Sequence, residues 1–539
     1  MRVFKQKSAI IIVALFFGFN NSVLAEYFTN LVDESKILFQ HNNGQSGNFN
    51  YPEIVGSGVA LLDVDNDGDL DIYFVQSGAF DKNKLTDELY INEISLTNKL
   101  AFKKSKSKLQ KKTTGYGIGI ATADINNDGW MDFYLTNYKN NQLFVNQSGK
   151  GFAEKNIKEN NHLWSSSASF CDINNDGFKD LYVSNYVEWS PENNPKCYNA
   201  SSKQDFCGPN TFQGLKDSFY LNESGKSMLE KTDQFFPEMP QMPGLNVICQ
   251  DLNNDGFNDF IVANDGKPNL VWLNQKGVSF KEHGLFSGLA VNAQGVAEAS
   301  MGMATADYDA DGDLDIFFTH LMNESNTLYQ NNGKGFFRDV SNRTKLSAQS
   351  MAFTGWAAGF LMVNDDVYPD LVIFNGAVAD ASDKKSDKAS LDQFNQLFLN
   401  SSNGQFIHVN NEQWLRKKAN TRGASFGDLD NDGDIDIVVS NNNAEPDILI
   451  NNLNPEQWMG LRIYDSLHRN FTVLLYNDTN TMQINTQTDG AYASAHDDRL
   501  VFNQAQLSMF DGVKIIHQNK VVFDLALSNT KKYQTIKLK

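Results

Sequence analysis

Residues 63–75 read Asp63-Val-Asp65-Asn-Asp67-Gly68-Asp69-Leu-Asp71-Ile-Tyr-Phe-Val75: oxygen side chains at alternating positions, a glycine among them, then a short apolar run. The same register returns at Asp124-Ile-Asn126-Asn-Asp128-Gly129-Trp-Met-Asp132 and Asp172-Ile-Asn174-Asn-Asp176-Gly177-Phe-Lys-Asp180. Further copies are Asp251-Leu-Asn253-Asn-Asp255-Gly256-Phe-Asn-Asp259, Asp307-Tyr-Asp309-Ala-Asp311-Gly312-Asp-Leu-Asp315 and Asp428-Leu-Asp430-Asn-Asp432-Gly433-Asp-Ile-Asp436. Copies start 48 to 79 residues apart, apart from one interval of 121 between Asp307 and Asp428. That interval holds a decayed copy, Met362-Val-Asn364-Asp-Asp366-Val367-Tyr-Pro-Asp370, which brings the units to seven.

Each loop is followed by a run such as Phe133-Tyr-Leu-Thr136 or Ile437-Val-Val-Ser440, rich in β-branched and aromatic residues. Such runs are too short for helices and do not alternate, so they predict strands buried on both faces. A small-residue stretch precedes each loop, as in Gly117–Ala123 and Gly302–Ala306, and predicts a tightly packed inner strand. About 20 residues beyond the loop comes a third element, for example Gln142–Asn146 or Asn395–Asn400, and then a Gly turn and a Phe that begin a fourth. Four strands in each of seven units predict an all-β chain: a seven-bladed β-propeller over residues 26–453 and a small C-terminal β-rich domain over residues 454–539. A linear array of modules would show linkers between the units, and none is present.

The loop chemistry points to a metal. Positions 1, 3, 5 and 9 offer Asp63, Asp65, Asp67 and Asp71; Asp124, Asn126, Asp128 and Asp132; Asp172, Asn174, Asp176 and Asp180; Asp251, Asn253, Asp255 and Asp259; Asp307, Asp309, Asp311 and Asp315; and Asp428, Asp430, Asp432 and Asp436. The glycine at position 6 permits the sharp turn, and the carbonyl at position 7 supplies another oxygen. Hard oxygen ligands in so small a loop suit Ca²⁺, about six ions in all. Mg²⁺ demands a stricter octahedron, and zinc prefers the N and S ligands these loops lack. An EF-hand needs an acidic residue at position 12; here that position is Phe74, Leu135, Val183, Val262, Phe318 or Val439. Simple hairpin turns would not repeat carboxylates in one register six times. The decayed copy has lost its first carboxylate and its glycine, so it is expected to keep its strands and hold no ion.

Bulk properties agree. The 539 residues carry 65 acidic against 46 basic side chains, a formal charge of −19, which argues against nucleic acid as a partner. Residues 1–25 read as a cleaved signal peptide: Arg2, Lys5 and Lys7, the apolar run Ala9–Phe19, then Val23 and Ala25 before the cut. A periplasmic or secreted location follows, with no membrane span in the mature chain. Export permits disulfides. Cys197 and Cys207 flank a ten-residue step and are the favoured pair, while Cys171 and Cys249 are left open between bonded and buried.

These residues resemble the FG-GAP/VCBS-type calcium propeller repeats. The whole chain is similar to the cartilage acidic protein family, which couples such a propeller to an ASPIC/UnbV-type domain. The resemblance runs through Ile37–His41, Gly56–Ala60, Cys207-Gly-Pro209 and Asp217–Asn222. It continues at Trp458–Arg462, Gly490–Ser494 and Leu500–Phe502, but the family's GA step and late W-P-x-G motif are missing. Propellers present loops on one rim as a recognition surface, and the long insertions Glu188–Phe212 and Ala377–Asp392 suit that, so a non-enzymatic binding or adhesion module for an unidentified protein or glycan is expected, with structural ions. The other readings are a polysaccharide-active enzyme or a carbohydrate-binding protein on the same scaffold. His41, His162 and His320 are the histidines an enzyme would draw on, and Trp164, Trp189 and Trp414 are read as the exposed aromatics a glycan would need. No catalytic motif is present, so no catalytic residue is assigned.

Overall fold

The computed structural model describes residues 26–78, 85–105, 115–157, 162–199, 201–379, 391–465 and 471–538. The signal segment expected at 1–25 lies outside the described residues, as does most of the insertion at 377–392.

Seven four-stranded antiparallel sheets follow one another along the chain, and we number them I to VII. Sheet II is typical: Tyr116–Ala123, Asp132–Tyr138, Gln142–Asn146 and Phe152–Lys155 pair in sequence order. Its first two strands are buried throughout, and only the fourth has exposed positions, as a meander with its first strand innermost requires. Sheet VI, which carries the decayed loop, keeps all four strands, Gly355–Leu361, Asp370–Asn375, Gln396–Ser401 and Gln405–Val409. Sheet VII is built from both ends of the repeat region. Thr421–Gly427, Asp436–Asn441 and Asp447–Asn451 supply three strands, and Phe28–Asn30 supplies the outermost, pairing Phe28 with Asn451.

Apolar side chains fill the space between successive sheets. One cluster joins sheets I and II through Val75, Leu89, Ile120 and Phe133, and another joins II and III through Tyr134, Leu143, Phe170 and Leu181. Sheets III and IV, IV and V, and V and VI share clusters in the same way. Sheet I also packs on sheet VII, with Val59, Ile72 and Phe74 against Leu429, Val438 and Ile448. The Cys171–Cys249 disulfide ties sheet III to sheet IV, resolving the pair the sequence left open, and Cys197–Cys207 closes the loop expected of it.

Residues 459–538 form a three-stranded and a four-stranded sheet. In the first, Met459–Asp465 lies between Leu500–Phe502 and Tyr533–Leu538, antiparallel to one and parallel to the other. A six-residue helix, Gln504–Met509, starts at a capping box of Asn503 and Gln506. This C-terminal unit has its own core around Leu461, Val473, Phe502 and Ile515.

One stretch of the unit leaves it altogether. Residues 489–497 run into the centre of the seven sheets and bond to their innermost strands. Asp489 accepts from Ser169 Oγ of sheet III and from the Cys249 amide of sheet IV (2.9 Å). The Ala491 carbonyl accepts from Met303 N of sheet V and Asn246 Nδ2 of sheet IV, both at 2.8 Å. The Ala493 carbonyl accepts from Ile120 N of sheet II, and Ala495 exchanges bonds with Val59 and Leu61 of sheet I. Tyr492 is fully buried, edge-on to Trp356 of sheet VI at 4.7 Å. This central plug explains the small residues of the inner strands: a Cβ on Gly119 would lie 2.9 Å from the Ala493 side chain.

Candidate functional site

All six intact loops lie where the first strand of a sheet turns into the second, and all fold alike. The first aspartate closes the turn, one oxygen accepting from the amide of position 5 and the other from that of position 6. In loop I these are Asp67 N and Gly68 N on Asp63, each at 3.1 Å; in loop V, Asp311 N at 3.0 Å and Gly312 N at 2.9 Å on Asp307. Position 6 has φ between +86° and +99° in the six loops, the left-handed region that glycine enters without steric cost. The fifth aspartate accepts from the amide of position 7, as Asp128 does from Trp130 at 3.0 Å.

The ninth aspartate begins the second strand, buried, and looks both ways. Asp132 accepts from Ile125 N of its own loop (3.2 Å) and from Asn146 N at the end of the third strand (2.7 Å). That asparagine is a residue the sequence reading missed. Its side chain bonds the preceding loop: Asn146 Nδ2 reaches the Val64 carbonyl at 3.0 Å, Asn222 reaches Ile125, Asn274 reaches Ile173 and Asn92 reaches Leu429. The signal was present as an Asn at or beside the end of each third strand, at Asn92, Asn146, Asn222, Asn274, Asn331, Asn400 and Asn451.

The third position divides the loops. In II, III and IV it is asparagine, whose amide turns onto the fifth carboxylate, as Asn126 Nδ2 does on Asp128 at 3.1 Å. In I, V and VII it is aspartate, and position 7 is aspartate too, so these loops carry five carboxylates against three. Asp63, Asp65 and Asp67 bring oxygens within 4.8 Å of one another, as do Asp307, Asp309 and Asp311, and Asp428, Asp430 and Asp436. Asp309 Oδ1 and Asp430 Oδ1 are buried and accept no hydrogen bond. A buried carboxylate oxygen without a donor is costly unless a cation faces it.

Electrostatics point the same way. Burial, then repulsion within the loop, pushes Asp315 up to about 9 and Asp434 to about 9, well above the usual carboxylate range. Burial raises Asp132 to about 8 and Asp307 to about 7. Asp180, Asp259 and Asp436 are likewise raised well above that range, again chiefly by burial. Such loops take up protons or a cation. The donor set, carboxylate and amide oxygens around a glycine turn, fits Ca²⁺. In loop VI only Asp366 and Asp370 remain as carboxylates in ligand positions, and Asp370 keeps its structural bonds to Val363 N and Asn400 N.

The side chains the enzyme and glycan readings drew on are placed otherwise. Trp164, Trp189 and Trp414 are buried, which corrects their reading as exposed platforms. His41 is enclosed, Nε2 3.0 Å from Ser77 Oγ and Nδ1 accepting from Asn443 N; burial and then the nearby Arg422 push it down to about 3. His320 is also buried, Nδ1 on the Ala299 carbonyl and Nε2 3.6 Å from Glu298, with burial pushing it down to about 4. His162 is exposed.

The family model described as the FG-GAP-like repeat matches residues 80–183, 251–318 and 363–439. These blocks contain five of the six intact loops, so FG-GAP-like repeats make up those parts of the chain. Cartilage acidic protein 1 of Xenopus tropicalis is 23% identical over 397 residues, covering 72% of this chain and 58% of that protein, so the match spans less than two thirds of its length. Both findings agree with the resemblance read from the sequence. Among solved structures, a lectin from Agrocybe aegerita that recognises non-reducing terminal N-acetylglucosamine aligns over 68% of this chain and 84% of its own, at 15% identity and a TM-score of 0.41. The rhamnogalacturonan lyase YesW aligns over 74% and 72%, at 12% identity and a TM-score of 0.38.

Proposed function

We propose that this chain is an exported, calcium-loaded, seven-bladed propeller acting as a non-enzymatic binding module, with ions that hold the blades rather than react. The seven sheets are its blades; the core shared by sheets I and VII and the outer strand Phe28–Asn30 support closure of the ring. The division is a signal peptide at 1–25, the propeller at 26–453 and an ASPIC/UnbV-like unit at 454–539.

The observation that carries the metal reading is the pair of buried, donorless oxygens, Asp309 Oδ1 and Asp430 Oδ1, inside clusters of carboxylates. The 24 residues at positions 1, 3, 5 and 9 of loops I to V and VII are the ligands, and each set holds one Ca²⁺. Loop VI holds none. The test is elemental analysis of protein equilibrated with Ca²⁺ and then desalted, paired with thermal unfolding in EGTA. Six ions per chain and a lowered midpoint are expected; an unchanged midpoint removes the structural role.

Binding is assigned to the rim opposite the calcium loops. There the hairpin of Cys197–Tyr198 and Gln204–Asp205 stands out, stapled by its disulfide, with Tyr198 exposed. A loop ordered in advance loses less entropy on binding. Protein and glycan arrays probed with the full chain should give a ligand that Tyr198→Ala weakens. Esterase or lyase turnover by the purified protein would overturn the non-enzymatic reading.

A further inference from the structure

The aspartate loops are tied to one another. The residue at position 4 is in the left-handed region, and in five loops it is an asparagine whose amide reaches the neighbouring sheet. Asn66 Nδ2 bonds Gly129 O at 2.9 Å, Asn127 bonds Gly177 O at 2.9 Å and Asn175 bonds Gly256 O at 3.0 Å. Asn254 bonds Gly333 O of sheet V at 3.3 Å, and Asn431 of loop VII bonds Asp69 Oδ1 of loop I at 2.9 Å. The chain of links therefore runs from VII through I to V. It stops at loop V, where position 4 is Ala310, and at the decayed loop VI.

The C-terminal unit sits on this gap. Ala310 packs into its hydrophobic core. The Gln483 amide donates to Asp307 Oδ2, the first ligand position of loop V, at 2.9 Å. On loop VI, Asn503 Nδ2 bonds the Asp366 carbonyl at 3.0 Å and Ala505 N bonds Asp365 Oδ1 at 3.1 Å. On loop VII, Tyr533 OH donates to Asp428 Oδ2 at 2.8 Å. Arg499 stacks 4.2 Å over the Tyr533 ring and reaches the Asp428 carbonyl at 2.8 Å and the Gly68 carbonyl of loop I at 3.1 Å. Arg462 lies 3.4 Å from Asp63 Oδ2 of loop I. The first aspartates held in this way are those of loops I, V and VII, the three loops with five carboxylates.

We propose that the C-terminal unit completes the ring of loops as a clamp, with Tyr533, Arg462 and the Gln483 amide as positioning groups for the first aspartates of loops VII, I and V, so that Ca²⁺ in these loops seats the central plug. The inference rests on the calcium reading of the loops. An ion fixes the carboxylate geometry these outer groups bond, and the strand that carries Gln483, Thr481–Ile484, leads into residues 489–497. Without ions, five crowded carboxylates repel one another and move apart, and the clamp loses its footing. By linkage, the coupling runs both ways: seating the unit raises the affinity of those loops by the factor by which the ions favour seating.

The test is hydrogen exchange followed by mass spectrometry on the full chain, with Ca²⁺ and with EGTA, alongside a terbium-luminescence titration. Chelation is expected to raise exchange across residues 489–497 and the 459–538 sheets before it does so in sheets II and III. Tyr533→Phe keeps the ring on Arg499 and deletes only the hydroxyl, so one class of sites should weaken about tenfold, the ratio that loss of one hydrogen bond to a charged group gives. If titration shows ions binding while plug exchange is unchanged by EGTA, the clamp is wrong and the calcium reading stands. A rise that is uniform over all seven sheets also overturns the clamp. If no ion binds at all, the calcium reading itself fails. The comparison of loaded and chelated wild type needs no variant, so a poorly folding Tyr533→Phe does not blunt the test.

Discussion

Replacing Asp315 by asparagine is expected to move stability in opposite directions with and without Ca²⁺. Asp315 is fully buried and shares its loop with Asp307, Asp309 and Asp311. Burial first, then these neighbours, raises its pKa from 3.8 to about 9. At pH 7 the ion-free fold must therefore keep this carboxyl protonated, while the unfolded chain ionises it. One pKa unit is about 1.4 kcal/mol, so protonation at pH 7 costs the ion-free fold about 4 kcal/mol. Asparagine removes that cost. It also sets an amide against one of the two donors the carboxylate satisfies, Asn331 N at 2.7 Å or Tyr308 N at 3.3 Å, which returns about 1–3 kcal/mol. The net is a gain of about 2 kcal/mol in the ion-free variant. In the loaded protein the same change removes a charged ligand from loop V, and stability falls. Urea denaturation at pH 7 in EGTA and in excess Ca²⁺, wild type beside variant, reads both signs. A chelated variant no more stable than chelated wild type would refute the reasoning, because the buried carboxylates would then not be what strains the empty loops.

Other expected outcomes follow from the same geometry. Met362→Asp combined with Val367→Gly restores the first ligand and the turn glycine of loop VI, and elemental analysis should count one more ion than in wild type. The chelated protein should lose stability as pH rises from about 4 to about 9, since its folded-state aspartates, Asp132 at about 8 and Asp434 at about 9 among them, bind protons the unfolded chain has released. The loaded protein should show the opposite slope on acidification, because protons then compete with ions; urea midpoints between pH 5 and 8 decide both. Gly58→Ala places a Cβ against the Ala493 carbonyl and 2.9 Å from Gly119 Cα, so the plug should unseat and the emission of Trp356, which packs on Tyr492, should shift. Cys171→Ser with Cys249→Ser removes a closure of 78 residues between sheets III and IV and should cost about 2–4 kcal/mol in non-reducing urea denaturation.

What could be read from the sequence had a local cause. The loops announce themselves because ligand geometry fixes residue types at fixed offsets, and the strands after them because burial on both faces demands unbroken apolar runs. The decayed loop kept its strands for the same reason: Asp370 still bonds Val363 N and Asn400 N, a backbone role separate from binding an ion. What escaped notice depends on distant partners. Phe28–Asn30 is too short to look like a strand and exists only because Leu449–Asn451 offers an edge. Gly490–Ser494 was noted only for its resemblance to a family segment, because small residues that fill a central channel carry no periodicity of their own. The asparagines at the ends of the third strands were visible but were given no role, since their side-chain partners lie in the preceding sheet. The buried state of Trp164, Trp189 and Trp414 was likewise decided by packing across sheets.

The outer strand of sheet VII also bears on how the chain comes to be folded. Thr29 and Asn452 bond across a separation of 423 residues. Bringing such distant segments together is entropically unfavourable and slow compared with closing a hairpin. Sheets I to VI assemble from contiguous stretches of chain, so each can form as its residues become available. The seventh must wait for residues from both ends of the repeat region, and the plug, which follows it in sequence, must wait longer still. A ribosome-bound fragment ending before Asn451 leaves Phe28 with an unpaired edge, ready to join another chain. Pairing of that outer strand is therefore the step at which one chain is chosen over an entangled pair, and the few residues Phe28–Asn30 govern that choice.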